Sequence, residues 1–557
     1  MERPSTCIRR NPSTSTTLCS GSRTRGRTWS SPRISPAPAR RQRCVQRVAW
    51  PKRWDASSAE SRRRTRWSRA LERQSCEGWP AVTEALLGID AGTSSVKVVA
   101  TDLAGRRIAD RSVPYPTRTD GAGAEQDALD WWRALGAALR PVLPGIRVRA
   151  VAVTSQAPTF VPVDEGGNPT GAALTWLDRR AVSEARVIGD LVPRSRNGAD
   201  PFFGTAKLAW LAAHRPEELE AAAAVLSTNG FLVRMLTGIA VLDDTTASLM
   251  QGFDDDLGDF PARLRTAIPA LAKLPPIVRA KTVVGEVSAE AAAHTGLPEG
   301  IPVIAGGIDA IGSALEAGAL VAGDPFVDMT GFSSVTMLAV PRGTAVPGFI
   351  HSRHCTPDTD LLITAQVTAG ATIDWVNSLD SGTDLRSAAA ILARQRPGRL
   401  VMVPSLAGER TPSWNPSARG IIEGIDLATD GTDLMLAAME GNALALARDV
   451  DVLREVGFGV DHVISTGGGA SSDAWLQIKA DVLGIPVLRP ASGHGAAQGA
   501  AMLAGLACGL ISSIDDLRHA SGEIEAEFAP DLRRHDAYRA SRDRFESLDK
   551  INEARRL

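Results

Sequence analysis

Two aspartates sit where a buried apolar run gives way to glycine. The first lies in Gly88-Ile89-Asp90-Ala91-Gly92-Thr93-Ser94-Ser95-Val96-Lys97. An acid at a strand end, a glycine turn and three hydroxyls make a compact polar loop, and paired loops of this kind hold phosphate through backbone N–H groups and hydroxyls. A plain hairpin turn is the other reading of the same residues. The second lies in Ile304-Ala305-Gly306-Gly307-Ile308-Asp309-Ala310, where a strand ends in two glycines and an aspartate before a helix of small residues. An aspartate there is also a good helix N-cap. Two further segments stand out. Gly408-Glu409-Arg410-Thr411-Pro412-Ser413-Trp414-Asn415-Pro416 is too polar for a simple connector, and the bare backbone of Gly467-Gly468-Gly469-Ala470 suits a base or ribose laid flat against it.

Other patterns carry less. No Gly-x-x-x-x-Gly-Lys-Ser/Thr phosphate loop occurs. Gly493-His494-Gly495-Ala496-Ala497-Gln498-Gly499 imitates a dinucleotide fingerprint, but its third glycine comes one residue late. Its small residues read better as a helix packed closely on a neighbour. His351-Ser352-Arg353-His354-Cys355 lacks a second cluster to complete a metal shell and reads as a loop with a core-facing cysteine.

The elements that must position these residues alternate. Residues 85–89, 96–101 and 107–113 read as strands, 127–142 as a helix carrying Trp131, Trp132, Leu135 and Leu139 inward, and 148–154 as a buried strand. This β-β-β-α-β order differs from the βαβαβ of a dinucleotide fold. A similar start recurs after residue 320, with a strand at 325–328, the turn Thr330-Gly331-Phe332-Ser333 and a strand at 335–340. Residues 461–465 then lead into the triple glycine, and a helix follows at 473–483. Two such strand-turn-strand units suggest two related lobes.

Composition bounds the rest. The net charge of −1 gives no sign of a nucleic-acid or membrane-surface protein, yet residues 1–80 carry 19 basic and 5 acidic side chains. That segment shows no period of 2 or 3.6 and cannot bury enough apolar area to offset its ordering entropy. It is expected to lie outside the fold, as translated sequence upstream of a true start, a targeting or linker segment, or a basic arm. The body keeps only Cys355 and Cys508, which fits a reducing, cytoplasmic setting. No apolar run approaches the roughly 18–20 residues of a membrane span.

From about residue 86 to about residue 510 the chain resembles the FGGY family of carbohydrate kinases. The pieces stand in family order: 88–97 (GIDAGTSSVK), 123–132 (GAEQDALDWW), 151–158 (VAVTSQAP), 174–180 (LTWLDRR), 229–238 (NGFLVRMLTG), 243–248 (DDTTAS), 306–310 (GGIDA), 327–335 (VDMTGFSSV) and 465–487 (STGGGASSDAWLQIKADVLGIPV). The resemblance implies an α/β protein with the two-lobed actin-like ATPase (ribonuclease H-like) fold, a duplicated domain with an interdomain cleft. It implies an N-terminal domain at 84–318 with the sugar site and catalytic base, a C-terminal domain at 319–515 with the nucleotide site, and a helical tail at 516–557.

It also implies roles. Asp309 is expected as the general base toward a sugar hydroxyl, and Asp90 as the organiser of Mg²⁺. Thr93, Ser94 and Lys97, with Thr330, Gly331 and Ser333 of the second loop, are expected on the phosphates of ATP. Gly468 and Gly469 are expected at the adenosine, and Gln156, Trp176, Asp178 and Arg179 at the sugar beside Asp309. The implied activity is ATP- and Mg²⁺-dependent phosphorylation of a ketopentose such as xylulose. The alternatives are a kinase for another ketose, polyol or signalling sugar, and a non-catalytic nucleotide switch. The implied partner is a small sugar, with neither nucleic acid nor membrane, and a homodimer is allowed for.

Two departures bear on this. Ala157-Pro158 stands where glycerol kinases carry Arg-Glu and xylulokinases usually Met-His. Gly331-Phe332-Ser333 stands where the second loop usually reads Gly-Thr-Ser, so Thr330, Ser333 or backbone N–H groups are expected to serve in place of the missing threonine.

Overall fold

The computed structural model describes residues 82–379, 397–491, 495–521 and 523–554. The basic segment 1–80 and the residues Gly493 and His494 lie outside the described residues.

The first half builds a six-stranded sheet from β1 (Thr83–Ala91), β2 (Ser95–Thr101), β3 (Arg107–Pro114), β4 (Ile146–Ser155), β5 (Val283–Glu286) and β6 (Pro302–Ile308). Their order is β5-β6-β4-β1-β2-β3. β1 is a central strand, with Leu86, Leu87 and Ile89 buried on both faces, hence its unbroken apolar run. The second half repeats the pattern with β7 (Phe326–Thr330), β8 (Ser334–Pro341), β9 (Ile350–Arg353), β10 (Thr359–Gln366), β11 (Val463–Thr466), β12 (Val487–Pro490) and β13 (Ile524–Phe528), in the order β9-β10-β8-β7-β11-β12-β13.

Six strands of the second sheet correspond to the six of the first, and β9 is added at its edge. β1 pairs antiparallel with β2 and parallel with β4, and β7 pairs antiparallel with β8 and parallel with β11. β6 lies parallel to β4 and antiparallel to β5, and β12 lies parallel to β11 and antiparallel to β13. The two loops picked out by sequence therefore occupy the same hairpin of two copies of one sheet. β13 also corrects the tail. Beyond residue 516 the chain supplies an edge strand to the second sheet as well as the long helix α6 (Leu532–Ala554).

Helix α1 (Ala128–Val142) starts where Asp127 accepts the Leu129 N–H, and it buries Trp131, Leu135 and Leu139. Before it comes a short hairpin, Arg118–Asp120 with Gly123–Gln126, which joins a separate five-stranded sheet with Phe160–Val163, Ala173–Leu174 and Ala224–Ser227. The residues expected as a loop around His351 instead form β9, although Cys355 is buried beyond its end. Polar groups are tolerated in this buried strand because they find partners: Arg353 Nε donates to Asp255 Oδ1 at 2.8 Å, His351 Nε2 lies 3.1 Å from Val346 O, and the His351 backbone N–H donates to Asn197 Oδ1 at 2.9 Å.

Helix α2 (Asp309–Glu316) follows β6 directly, and α5 (Ala496–Ala507) from the second half packs on it and on β1 and β4. Glycine makes this possible. A Cβ at 499 would stand 1.7 Å from the carbonyl oxygen of Gly312, and one at 88 would stand 1.8 Å from that of Ala497. The small-residue run is thus a packing surface. Gly499→Ala forces two backbones apart, and overpacking of this kind costs about 1–3 kcal/mol or more. Thermal unfolding is expected to show a clearly lowered Tm; an unchanged Tm would refute the close packing. Among the described residues no helix is long and apolar enough to cross a membrane.

Candidate active site

β1 and β6 end side by side with β4 between them, so their terminal acids share one cleft. Asp90 lies opposite Lys97 in the β1–β2 register, and Thr154 Oγ1 on β4 donates to its Oδ1 at 3.4 Å. Burial pushes the Asp90 carboxyl up to about 7, and the charge of Asp309 adds to the rise, while Lys97 and Thr154 oppose it. Asp309 is the first residue of α2, and Ile308 occupies the cap position, so the N-cap reading is corrected. Its Oδ1 accepts the Ala310 N–H at 2.8 Å. Burial pushes Asp309 up to about 6, against that N–H and the charge of Arg410. A bulge aims it into the cleft: Gly306 has φ +71°, and a Cβ there would stand 1.6 Å from Val153 O, an approach only glycine allows.

The first loop is held from behind by Gln126. Its Nε2 donates to Thr93 O and to Thr117 Oγ1, both at 2.7 Å. Its Oε1 accepts from Trp131 Nε1 at 2.9 Å and from Gln156 Nε2 at 2.6 Å. Gln156 Oε1 is buried without a hydrogen-bond partner. Trp176 Nε1 donates to Thr93 Oγ1 at 2.9 Å, which leaves that hydroxyl's hydrogen to be donated. Sequence reading gave Gln126 no role, although a buried glutamine one residue before a helix cap is a visible signal.

Two expected sugar ligands are already engaged. The Asp178 carboxylate accepts the Ala124 N–H at 2.9 Å and both the N–H and the side chain of Arg180. The Arg179 guanidinium grips Asp200 with both arms, at 2.5 and 2.8 Å. Lys207, buried beneath them, donates to the carbonyls of Asp178 and Pro201, and burial pushes its amine down to about 7. These residues build the wall of the site, and their polar atoms are consumed by one another.

In the second hairpin Asp328 forms a buried ion pair with Lys479 of α4 (Asp473–Leu483), and Ser334 and Ser465 also donate to Asp328. Thr330 is part of this network: its hydroxyl donates to Asp328 at 2.9 Å and accepts from Lys479 at 2.9 Å. The expected use of the Thr330 hydroxyl on phosphate is therefore corrected, because both its hydrogen and its lone pair are committed. Gly331 and Phe332 are exposed, and Ser333 is half-buried. Lys479 escaped the sequence reading because it sits inside an otherwise apolar helix face.

The glycine turn after β11 splits by task. A Cβ at 469 would stand 2.6 Å from Thr330 Cγ2, so Gly469 is needed for packing, whereas Gly468 faces open space. Beside it is an open pocket of about 390 Å³ at the carboxyl ends of β11 and β12, lined by Ser465, Thr466, Gly467, Asp473, Arg489 and Glu525 among others.

Comparison with known proteins finds matches to both halves of the chain. The model for the N-terminal domain of the FGGY family of carbohydrate kinases matches residues 85–315, and that for its C-terminal domain matches residues 329–508. A xylulose kinase from Staphylococcus epidermidis is 26% identical over 483 residues, covering 84% of this chain and 97% of the relative. A glycerol kinase from Acidovorax sp. is 31% identical over 499 residues, covering 81% of this chain and 96% of the relative. The crystal structure of a xylulose kinase from Rhodospirillum rubrum superposes with a TM-score of 0.75 at 28% identity, covering 84% of this chain and 98% of that one.

Proposed function

The chain belongs to the FGGY family of carbohydrate kinases, with the two-lobed actin-like fold, and from that premise we propose that it transfers the γ-phosphoryl group of ATP to a hydroxyl of a ketopentose such as xylulose. The observation that carries this reading is the pair of carboxylates, Asp90 and Asp309, brought to one cleft by the carboxyl ends of β1 and β6 and both raised by desolvation. The naming of the S. epidermidis and R. rubrum relatives supports the choice of sugar. The glycerol kinase likeness supports a second reading, a small polyol as acceptor.

Asp309 accepts the proton of the attacking hydroxyl. In a loose phosphoryl-transfer transition state the base matters for alignment and late proton removal. Asp90 lies under the charge of Asp309, and this excess of buried negative charge fits a divalent cation. Among the described residues no group of three or more His, Cys, Asp or Glu could hold a metal. Mg²⁺ keeps several waters and takes nucleotide phosphates as ligands, so Asp90 would be the residue that holds it and the ion would neutralise charge on the transferring phosphoryl group. Bound Mg-ATP supplies the phosphoryl group. Thr93 and Ser94 donate to its oxygens, Lys97 neutralises charge, and the second hairpin contributes Gly331 and Ser333. Gly468 borders the adenosine, and Gln156 offers its buried Oε1 to a sugar hydroxyl.

The pH dependence follows from the raised carboxyls. Asp309 works as a base only when ionised, so kcat/KM is expected to fall as pH drops through about 6. Asp90 titrates near 7 without a cation and lower with one, because a nearby positive charge favours the carboxylate. Rate profiles at low and saturating Mg²⁺ are expected to share an acid limb that moves to lower pH with Mg²⁺. A profile flat down to about pH 5, below the raised values but above a normal aspartate, would contradict both assignments.

A further inference from the structure

Among the described residues, Arg410 is a conspicuous side chain near Asp309 to which phosphoryl transfer has so far assigned no task. It sits on the Gly408-to-Pro416 segment, which is pinned to the second half of the molecule. Glu409 pairs with Arg448 at 2.6 Å, and Arg448 pairs with Asp549 of α6 at 2.7 Å. The Ala365 N–H of β10 donates to Thr411 Oγ1 at 2.7 Å, and Asn415 Nδ2 donates to Asn552 O of α6 at 2.7 Å. From this fixed base the Arg410 guanidinium crosses to the first half. It lies 4.3 Å from the Trp176 ring centroid and 5.3 Å from that of Phe202, in the range of a cation–π stack.

Its donors are claimed by no protein acceptor among the described residues. Among the described residues the guanidinium makes no ion pair within 4.0 Å and donates no hydrogen bond, while both oxygens of nearby Asp200 are held by Arg179. The half-buried fork is therefore free to meet a ligand in the cleft, where oxygens of a substrate would complete it. The surrounding charges place it further. Arg410 acts on Asp309, whereas Asp90 feels Asp309 and Lys97. Arg410 thus stands close enough to Asp309 to act on its charge while stacked on Trp176, a residue expected at the sugar.

We propose that Arg410 is a substrate-contacting residue supplied by the second lobe, whose planar fork donates to adjacent oxygens of a neutral sugar beside Asp309. This rests on the reading of the cleft as a sugar kinase site. The fork suits two neighbouring oxygens, which a single ammonium does not match. Arg410 and Asp309 balance each other in charge, so the contact favours a ketose or polyol over a sugar acid. It also makes the sugar site incomplete until both lobes are in place.

The test uses the full chain with Arg410→Gln and Arg410→Lys, and with D-xylulose or whichever ketopentose the unaltered protein turns over best. Sugar KM, sugar Kd by calorimetry, ATP KM, sugar-independent ATP hydrolysis and Tm are measured together. Arg410→Gln is expected to raise sugar KM and Kd roughly 10- to 100-fold, the loss of a charged hydrogen bond, with a much smaller change in ATP KM. Arg410→Lys, which keeps charge without the fork, is expected to recover only part of the loss, and its KM split decides the matter if the glutamine variant does not fold. An unaltered sugar KM, or equal loss for sugar and ATP with a lowered Tm, overturns the proposal and leaves a clasp between lobes. If the unaltered protein phosphorylates a ketopentose, that failure touches Arg410 alone. If it phosphorylates no sugar, the kinase reading falls and this proposal with it.

Discussion

Asp309→Asn is expected to yield a folded protein that binds sugar and nucleotide but phosphorylates roughly 10²–10⁴ times more slowly, the usual loss on removing a general base. Asparagine keeps the size and one carbonyl oxygen of the carboxylate, so the Ala310 N–H retains its acceptor. What disappears is the basic lone pair. Stability should move the other way. The folded carboxyl lies near 6, above the 3.8 of an ordinary aspartate, so the folded state binds the proton more tightly than the unfolded one. Stability therefore rises as pH falls from neutrality through about 6, and the ionised group destabilises the fold at pH 7–8 by about 1–3 kcal/mol. The amide carries no charge to bury, so a higher Tm at pH 8 should accompany the lost turnover. A damaged fold would lower both. Near-normal turnover would mean that the base is elsewhere.

Much of this site could be read from the chain because its signals are local. Asp90 and Asp309 stand out since each interrupts a strand buried on both sides, where an acid has no packing reason to be. The duplicated hairpins were visible for the same reason, and the small residues before Gly499 announced a close helix contact. The failures share a cause as well. The five-stranded sheet is made of strands of two to four residues, too short to show alternation. β9 looked like a loop because its polar groups are satisfied by residues far away in sequence, the Arg353 side chain by Asp255 and the His351 backbone N–H by Asn197. Asp178 and Arg179 looked available because sequence does not reveal that Arg180 and Asp200 take their polar atoms. Thr330 was misjudged likewise, its partner Lys479 being unrecognised. Arg410 was noticed, but what it crosses to meet depends on how the lobes pack.

Glycerol is expected to be a poor substrate, by a few hundredfold or more in kcat/KM relative to a ketopentose. Ala157 and Pro158 have no side-chain donor or acceptor, and the cleft-side Trp176 is already covered on one face by Arg410. A triol has three hydroxyls, so each missing partner is a large share of its binding. An unpaired buried polar group costs about 1–3 kcal/mol, and two of them reach the stated factor. A longer sugar recovers the loss through Gln156, whose Oε1 awaits a donor, and through the guanidinium of Arg410. Asp178 does not contribute, its carboxylate being held by Ala124 and Arg180, and the half-buried Ala157 leaves room for the added carbons.

Sugar-dependent ADP release, measured as kcat/KM for glycerol, erythritol, D-xylulose, L-xylulose, D-ribulose and L-ribulose under one Mg-ATP condition, tests the central claim most directly. A ketopentose in first place, with glycerol at least about 100-fold behind, is the predicted result. Glycerol in first place would show that the sugar end of the cleft has been misread at Ala157-Pro158, and ADP release that no sugar stimulates would contradict the kinase assignment itself.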